Sequence, residues 1–246
     1  MSCWGDNGAG QAGQPFTSII ERLGAPAQVT SLVDVVEIAA GESFTCVRKR
    51  DATVSCFGRM TLPPTRECPH GPGEACVESF KPGELEAATA EAYRAHAIEG
   101  VHDALQLAAG DGFACALTKP GDVWCWGSNT LGQLGTGDVA VHIGAVRANI
   151  SDAIAISASS AWDACALTRS GEVWCWGVLF SLVPGVHGPG PVRIEGLGKA
   201  KAIGVGGDFA CATLADASVW CWGSGTSGQT GHGAIEAAHE PRPVGL

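Results

Sequence analysis

"CALTKPGDVWCWGSNTLGQLG", residues 115–135, places two cysteines ten positions apart around a Lys-Pro-Gly turn. Two apolar, β-prone runs, Cys115-Ala-Leu-Thr and Asp122-Val-Trp-Cys-Trp, flank Lys119, Pro120 and Gly121, the pattern of a hairpin. With Pro120 at the centre, Cys115 faces Cys125, Leu117 faces Val123, Ala116 faces Trp124 and Ala114 faces Trp126. Facing Cα atoms in an antiparallel pair lie about 4.5 to 5.5 Å apart, within reach of a disulfide.

The same rule finds "CVRKRDATVSC" (46–56), "CALTRSGEVWC" (165–175) and "CATLADASVWC" (211–221), each with its cysteines ten positions apart and a turn between them. Volume supports this register: Ala164 faces Trp176, Ala166 faces Trp174, Ala210 faces Trp222 and Ala212 faces Trp220. In the first hairpin the tryptophan position is Ser55 and its partner is the larger Val47, as expected if the pair's summed volume is what matters.

The chain has 246 residues with 35 Gly, 13 Pro, 8 Trp and 11 Cys, and eight of those cysteines fall in the four pairs Cys46–Cys56, Cys115–Cys125, Cys165–Cys175 and Cys211–Cys221. Such pairing suits an oxidising compartment, extracellular, cell-surface or periplasmic, and no C-x-x-C metal spacing competes with it. Each loop closed in this way contributes roughly 2 to 3 kcal/mol in the chain-entropy picture. Cys68 and Cys76 are expected to form a fifth bridge across "CPHGPGEAC", which leaves Cys3 alone. No leader-like segment precedes Cys3 and no run is long and apolar enough to span a membrane, so the setting is inferred from cysteine chemistry.

The glycine after each second cysteine falls at 5, 58, 127, 177 and 223, a recurrence near 50 residues. Each unit holds several short strands, the signature of a propeller or solenoid whose units bury one another's faces. The units run over about 1–53, 54–118, 119–168, 169–214 and 215–246 of one domain. A Gly-rich turn follows the hairpin in "WGSNTLGQLGTG", "WGDNGAGQAGQ" and "WGSGTSGQTGHG" and is lost at 59–69 and 178–190.

The pattern G-x-x-x-C-A-L-x-x-x-G-x-V-W-C-W-G-x-N-x-x-G-Q-L-G-x-G resembles the regulator of chromosome condensation repeat in its cysteine-bearing bacterial form, over nearly the whole chain. The family's common His two positions before the first cysteine is here Phe44, Phe113, Asp163 and Phe209. The resemblance implies an all-β propeller, usually of seven four-stranded blades. This chain has material for four to five, so the lone Cys3 reads as the edge of a fragment, of a defective fifth blade, or of a ring completed by another chain.

The nuclear role of eukaryotic members needs basic surface, whereas 15 Lys+Arg against 25 Asp+Glu give a formal charge of −10 that repels phosphate backbones. Nucleic acid is therefore not an expected partner. There is no H-E-x-x-H, G-x-S-x-G, P-loop or dinucleotide fingerprint, and no enzymatic activity, cofactor or metal is expected. Asp111, Asp163 and Asp208 recur near the hairpin starts, where short acids cap turns, and Trp162 alone among the eight tryptophans falls off the repeat pattern. His70, His142, His187 and His232 follow the hairpins at unequal offsets, as solvated loop residues would.

Departures from a repeat are where a scaffold carries specificity. One is the insertion at 59–95, a disulfide-closed loop followed by "PGELEAATAEAYRAHA", which reads as a short helix. The other is 177–191, "GVLFSLVPGVHGPGP", an apolar loop. Leu179, Phe180, Leu182 and Val183, with Glu84, Glu86 and Arg94 as a polar rim, are the expected binding residues for a protein or peptide partner. Oligomeric state is left open by the sequence. Two alternatives stand beside this scaffold: an inhibitor of an extracellular enzyme, by resemblance to propeller inhibitors of the family, and an enzyme with its site in a central channel.

Overall fold

The computed structural model describes residues 1–15, 22–60, 92–140, 142, 144–178, 189–233 and 235–245. The described residues contain no helix and form eighteen strands in a β-propeller arrangement. A two-stranded antiparallel pair, β1 (Ser2–Asp6) and β2 (Arg22–Gln28), precedes four four-stranded antiparallel blades. The first blade is β3 (Val35–Ala40), β4 (Phe44–Lys49), β5 (Val54–Gly58) and β6 (His96–Ala97). The second is β7 (Ala104–Ala109), β8 (Phe113–Thr118), β9 (Asp122–Gly127) and β10 (Val146–Arg147). The third is β11 (Ala153–Ala158), β12 (Asp163–Thr168), β13 (Val173–Gly177) and β14 (Val192–Arg193). The fourth is β15 (Ala200–Val205), β16 (Phe209–Leu214), β17 (Val219–Gly223) and β18 (Ala238–Pro243). Each blade is a simple meander, and the first strands β3, β7, β11 and β15 lie successively against one another.

The hairpin register expected from the cysteine spacing is the observed one. Cys115 faces Cys125 with Ala114 opposite Trp126 and Ala116 opposite Trp124, and the third and fourth blades repeat this. In the first blade Val47 faces Ser55. All four cysteine pairs are disulfides, with Cα atoms 4.0 to 4.1 Å apart. Cys68 and Cys76 lie outside the described residues.

The core is divided into layers between blades. Strand alternation turns Phe113, Cys115 and Leu117 toward the third blade, where Ala164, Ala166 and Trp176 meet them in one cluster. Equivalent clusters join the first blade to the second and the third to the fourth. Small alanines thus admit the neighbouring disulfide, and the indole beside them fills the remaining depth: Trp176 and Trp222 are fully buried.

Each first strand bulges at its second residue, Val36, Leu105, Ile154 and Lys201. The bulge re-aims that side chain, leaving Val36, Leu105 and Ile154 exposed between more buried neighbours. β1 carries Cys3-Trp4-Gly5, equivalent to Cys125-Trp126-Gly127 of β9, but pairs only with β2. Cys3 is accordingly a free thiol, its pKa raised by partial burial, and Trp4 is 65 % exposed where Trp126 is 3 % exposed.

The helix expected within the 59–95 insertion and the residues just after it falls mostly on 61–91, outside the described residues. Its final part is turn followed by β6, because His96 and Ala97 pair with Cys56 and Ser55 as the blade's fourth strand. No helix among the described residues is long and apolar enough to cross a membrane.

Candidate functional site

The turn between first and second strands and the connection after the third strand leave each blade at the same end, since Phe44 faces Gly58, Phe113 faces Gly127, Asp163 faces Gly177 and Phe209 faces Gly223. A backbone clasp ties them: Arg59 N donates to Ser43 O and Ser128 N to Gly112 O, both at 2.8 Å. Gly127 sits at φ +106° directly against the Gly112 carbonyl, so a Cβ there would collide with backbone. The recurring glycine is therefore a requirement of the clasp.

The polar residues of the repeat turn are spent internally. Asn129 donates to Asp138 O and Ala140 O and accepts from Leu134 N, while Gln133 accepts from Leu131 N. Gln133 O in turn accepts the Trp176 indole N–H of the next blade at 2.8 Å. Asn7 and Gln11 repeat this inside the first Gly-rich turn.

The third blade departs from this plan. Its turn from Ser159 to Asp163 holds one more residue than Gly110 to Phe113: Ser159 N reaches Asp163 O where Gly110 N reaches Phe113 O. In the first two blades a phenylalanine ring fills the space against the turn's own first residue, beside the next blade's turn carbonyl: Phe44 against Gly41 near Gly110 O, and Phe113 against Gly110 near Ser159 O. The third blade has Asp163 at that position, 2 % exposed, with Oδ1 buried and unpartnered. Burial, aided by the negative charge of Asp208 in the fourth blade, pushes its pKa up to about 8. Asp163 is therefore no turn cap of the kind expected from sequence. Beside it Trp162 takes the left-handed conformation, φ +68°, with 40 % of its surface exposed.

Carboxyls line this end in the other blades as well. Glu42 and Asp111 come from the equivalent turns of the first and second blades, and the interaction of the Glu42 carboxyl with that of Asp111 raises the Glu42 pKa.

Of the binding residues expected from sequence, Leu179, Phe180, Leu182, Val183, Glu84 and Glu86 lie outside the described residues. Arg94 is exposed just before β6, its Nε 3.5 Å from the Tyr93 hydroxyl and its guanidinium 5.8 Å from the Tyr93 ring centre. His142 bonds Asp138 at 2.9 Å and His232 the carbonyl of Arg242 at 3.1 Å, while His70 and His187 are not described. No group of three or more metal-ligating side chains occurs among the described residues.

The third-blade departure was half visible in the sequence. Asp163 at a phenylalanine position and Trp162 off the pattern are both legible, but the longer turn emerges only from the register.

Residues 105–133 and 200–229 match the regulator of chromosome condensation (RCC1) repeat. No curated protein sequence matches the chain. Among solved structures, Prp20p of Saccharomyces cerevisiae, described with its binding to Gsp1p and histones, superimposes with a TM-score of 0.71 at 18 % identity, covering 92 % of this chain and 54 % of that one. Human WBSCR16 gives 0.74 at 16 % identity, covering 98 % and 61 %. The chain thus spans between about half and three fifths of the length of these structures. Its second and fourth blades thus carry stretches that match the regulator of chromosome condensation repeat, each with a disulfide-bridged hairpin, and the chain shares the β-propeller fold of these structures.

Proposed function

We propose that this chain is a non-enzymatic binding scaffold of an oxidising compartment, extracellular, cell-surface or periplasmic, that recognises a protein or peptide with the end of the propeller where the first turns and third-strand connections meet. The observation that carries the reading is positional. The two connections that abandon the repeat start at Gly58 and Gly177, equivalent points at one end of blades separated by a single blade. Residues freed from the repeat's packing and turn bonding are free to specify a partner.

Four disulfides support the compartment, and the binding of Prp20p to Gsp1p and histones favours a protein ligand. Within the apolar connection Phe180 and Leu182 act as anchors, and Glu84, Glu86 and Arg94 supply a polar rim.

The test is titration calorimetry with a partner isolated on the immobilised chain. Phe180→Ala and Leu182→Ala should each weaken binding by about 1 to 3 kcal/mol without moving the melting temperature. A lowered melting temperature with intact affinity assigns both residues to packing and rejects the reading.

A further inference from the structure

The gap at the third and fourth blades has three features that the other inter-blade gaps do not share. A buried carboxylic acid, Asp163, replaces the ring seen at Phe44 and Phe113. Its Oδ1 is sealed from solvent yet bonds nothing, a state that buried polar atoms rarely keep unless something else completes them. Trp162, next in the chain, presents an aromatic face to solvent from a strained backbone, held by the adjoining clasp from Val178 N to Trp162 O.

Asp208, on the facing turn of the fourth blade, brings a second carboxyl to the same gap, and no cation among the described residues pairs with either acid. Asp208 is only partly buried, so this second carboxyl is reached from solvent. Further along the same end, Glu42 and Asp111 hold each other in a carboxyl pair instead of meeting a cation.

We infer that Asp163, Asp208 and Trp162 form a subsite for a cationic side chain, arginine or lysine, of a peptide or protein partner. A guanidinium or ammonium donor entering between the two turns satisfies the orphaned Oδ1, displaces the proton that Asp163 holds when the site is empty, offsets the Asp208 charge and stacks on the indole, all in a partly desolvated setting where such contacts are strongest. The chain's formal charge of −10 favours the approach of a basic segment. The assignment rests on reading this end as the binding end and names the chemistry of what binds there.

The probe is a blocked Gly-Arg-Gly-Arg-Gly peptide, with its citrulline counterpart as the uncharged isostere, titrated at low ionic strength. The arginine peptide should bind about tenfold or more tighter than the citrulline peptide, and Asp163→Asn and Asp208→Asn should each remove about tenfold, as for loss of a charged hydrogen bond. Asn keeps the shape of Asp163, so the loss is not one of folding; Trp162→Ala should weaken binding while Trp162→Phe retains it.

Asp216→Asn makes the same substitution at the opposite end of the propeller, where the acid is ionised, and should change affinity less than about twofold. Equal losses from Asp216→Asn and Asp163→Asn, or equal binding of the arginine and citrulline peptides, overturn the subsite. An isolated partner that depends on Phe180 but not on Asp163 also overturns it while leaving the binding-end reading intact.

Discussion

Gln106 of β7 clamps Ile156 of β11: its Nε2 donates to the Ile156 carbonyl and its Oε1 accepts from the Ile156 N–H, both at 2.9 Å. One side chain thus supplies a short stretch of ladder between two blades that share no sheet. Glu37 does half of this for the preceding blade pair, accepting from Leu107 N at 3.0 Å, and Ser157 does so for the following one, accepting from Val205 N at 3.1 Å. Gln106→Ala leaves two partly buried backbone groups of Ile156 without partners and should lower stability by about 1 to 3 kcal/mol. Chemical denaturation monitored by tryptophan fluorescence measures it. A neutral result would mean that water replaces the clamp without loss.

Ala116 is fully buried and faces Trp124 across the second hairpin. The site has no room for the three further carbons of a leucine side chain without moving the indole or the neighbouring blade. Ala116→Leu should therefore destabilise by about 1 to 3 kcal/mol, with little change in the steepness of the denaturation curve. An unchanged midpoint would show that Trp124 can swing outward freely.

The hairpins were legible because their constraint repeats: a disulfide fixes which residues face each other, and the alanine–tryptophan pairing gives an independent reading of the same register. The blade-to-blade clamps were not, since Glu37, Gln106 and Ser157 perform related work with different side chains and no pattern marks them. Compensation across blades was hidden for a similar reason. Thr45 Oγ1 donates to Gln11 O at 2.9 Å in the first blade, the role taken by Trp176 Nε1 toward Gln133 O in the third, because Phe57 has no N–H to give. Trp126 and Trp222 find no such acceptor among the described residues, and in each case the preceding blade is one whose connection has left the repeat. The longer turn at 159–163 leaves no mark in the sequence pattern, since one added residue leaves the hydrophobic alternation of β12 intact.

Thiol chemistry tests the disulfide framework as a whole. Eight cysteines are bridged and Cys3 is free, so unfolding without reductant should expose one reactive thiol if Cys68 and Cys76 pair with each other. Cys3→Ser should abolish that signal. Three thiols would leave the blades as described but remove the fifth bridge, whereas nine or more would contradict the blade disulfides themselves.

Asp163 makes a prediction whose sign is opposite to that of most acids in folded proteins. Its pKa rises from 3.8 to about 8, so between those values the folded chain holds a proton that the unfolded chain has released. The stabilising contribution of the protonated form is complete below the lower value and is lost as pH rises through the window, by up to about 1.4 kcal/mol per pH unit. Glu42, raised by Asp111, acts in the same direction, while Asp51, Asp138 and Asp216, all lowered by hydrogen bonds, lose their contribution only in acid. Asp163→Asn separates the effects, because it preserves the neutral side chain at every pH and leaves the other groups untouched. Denaturation midpoints at about pH 5, 7 and 9 should fall more steeply for the native chain than for the variant, the two differing least in acid and most in base. Parallel curves would mean that the carboxyl ionises in place, stabilised by water or by movement of the Asp208 turn, and that the gap between the third and fourth blades is wetter than the sealed Oδ1 implies.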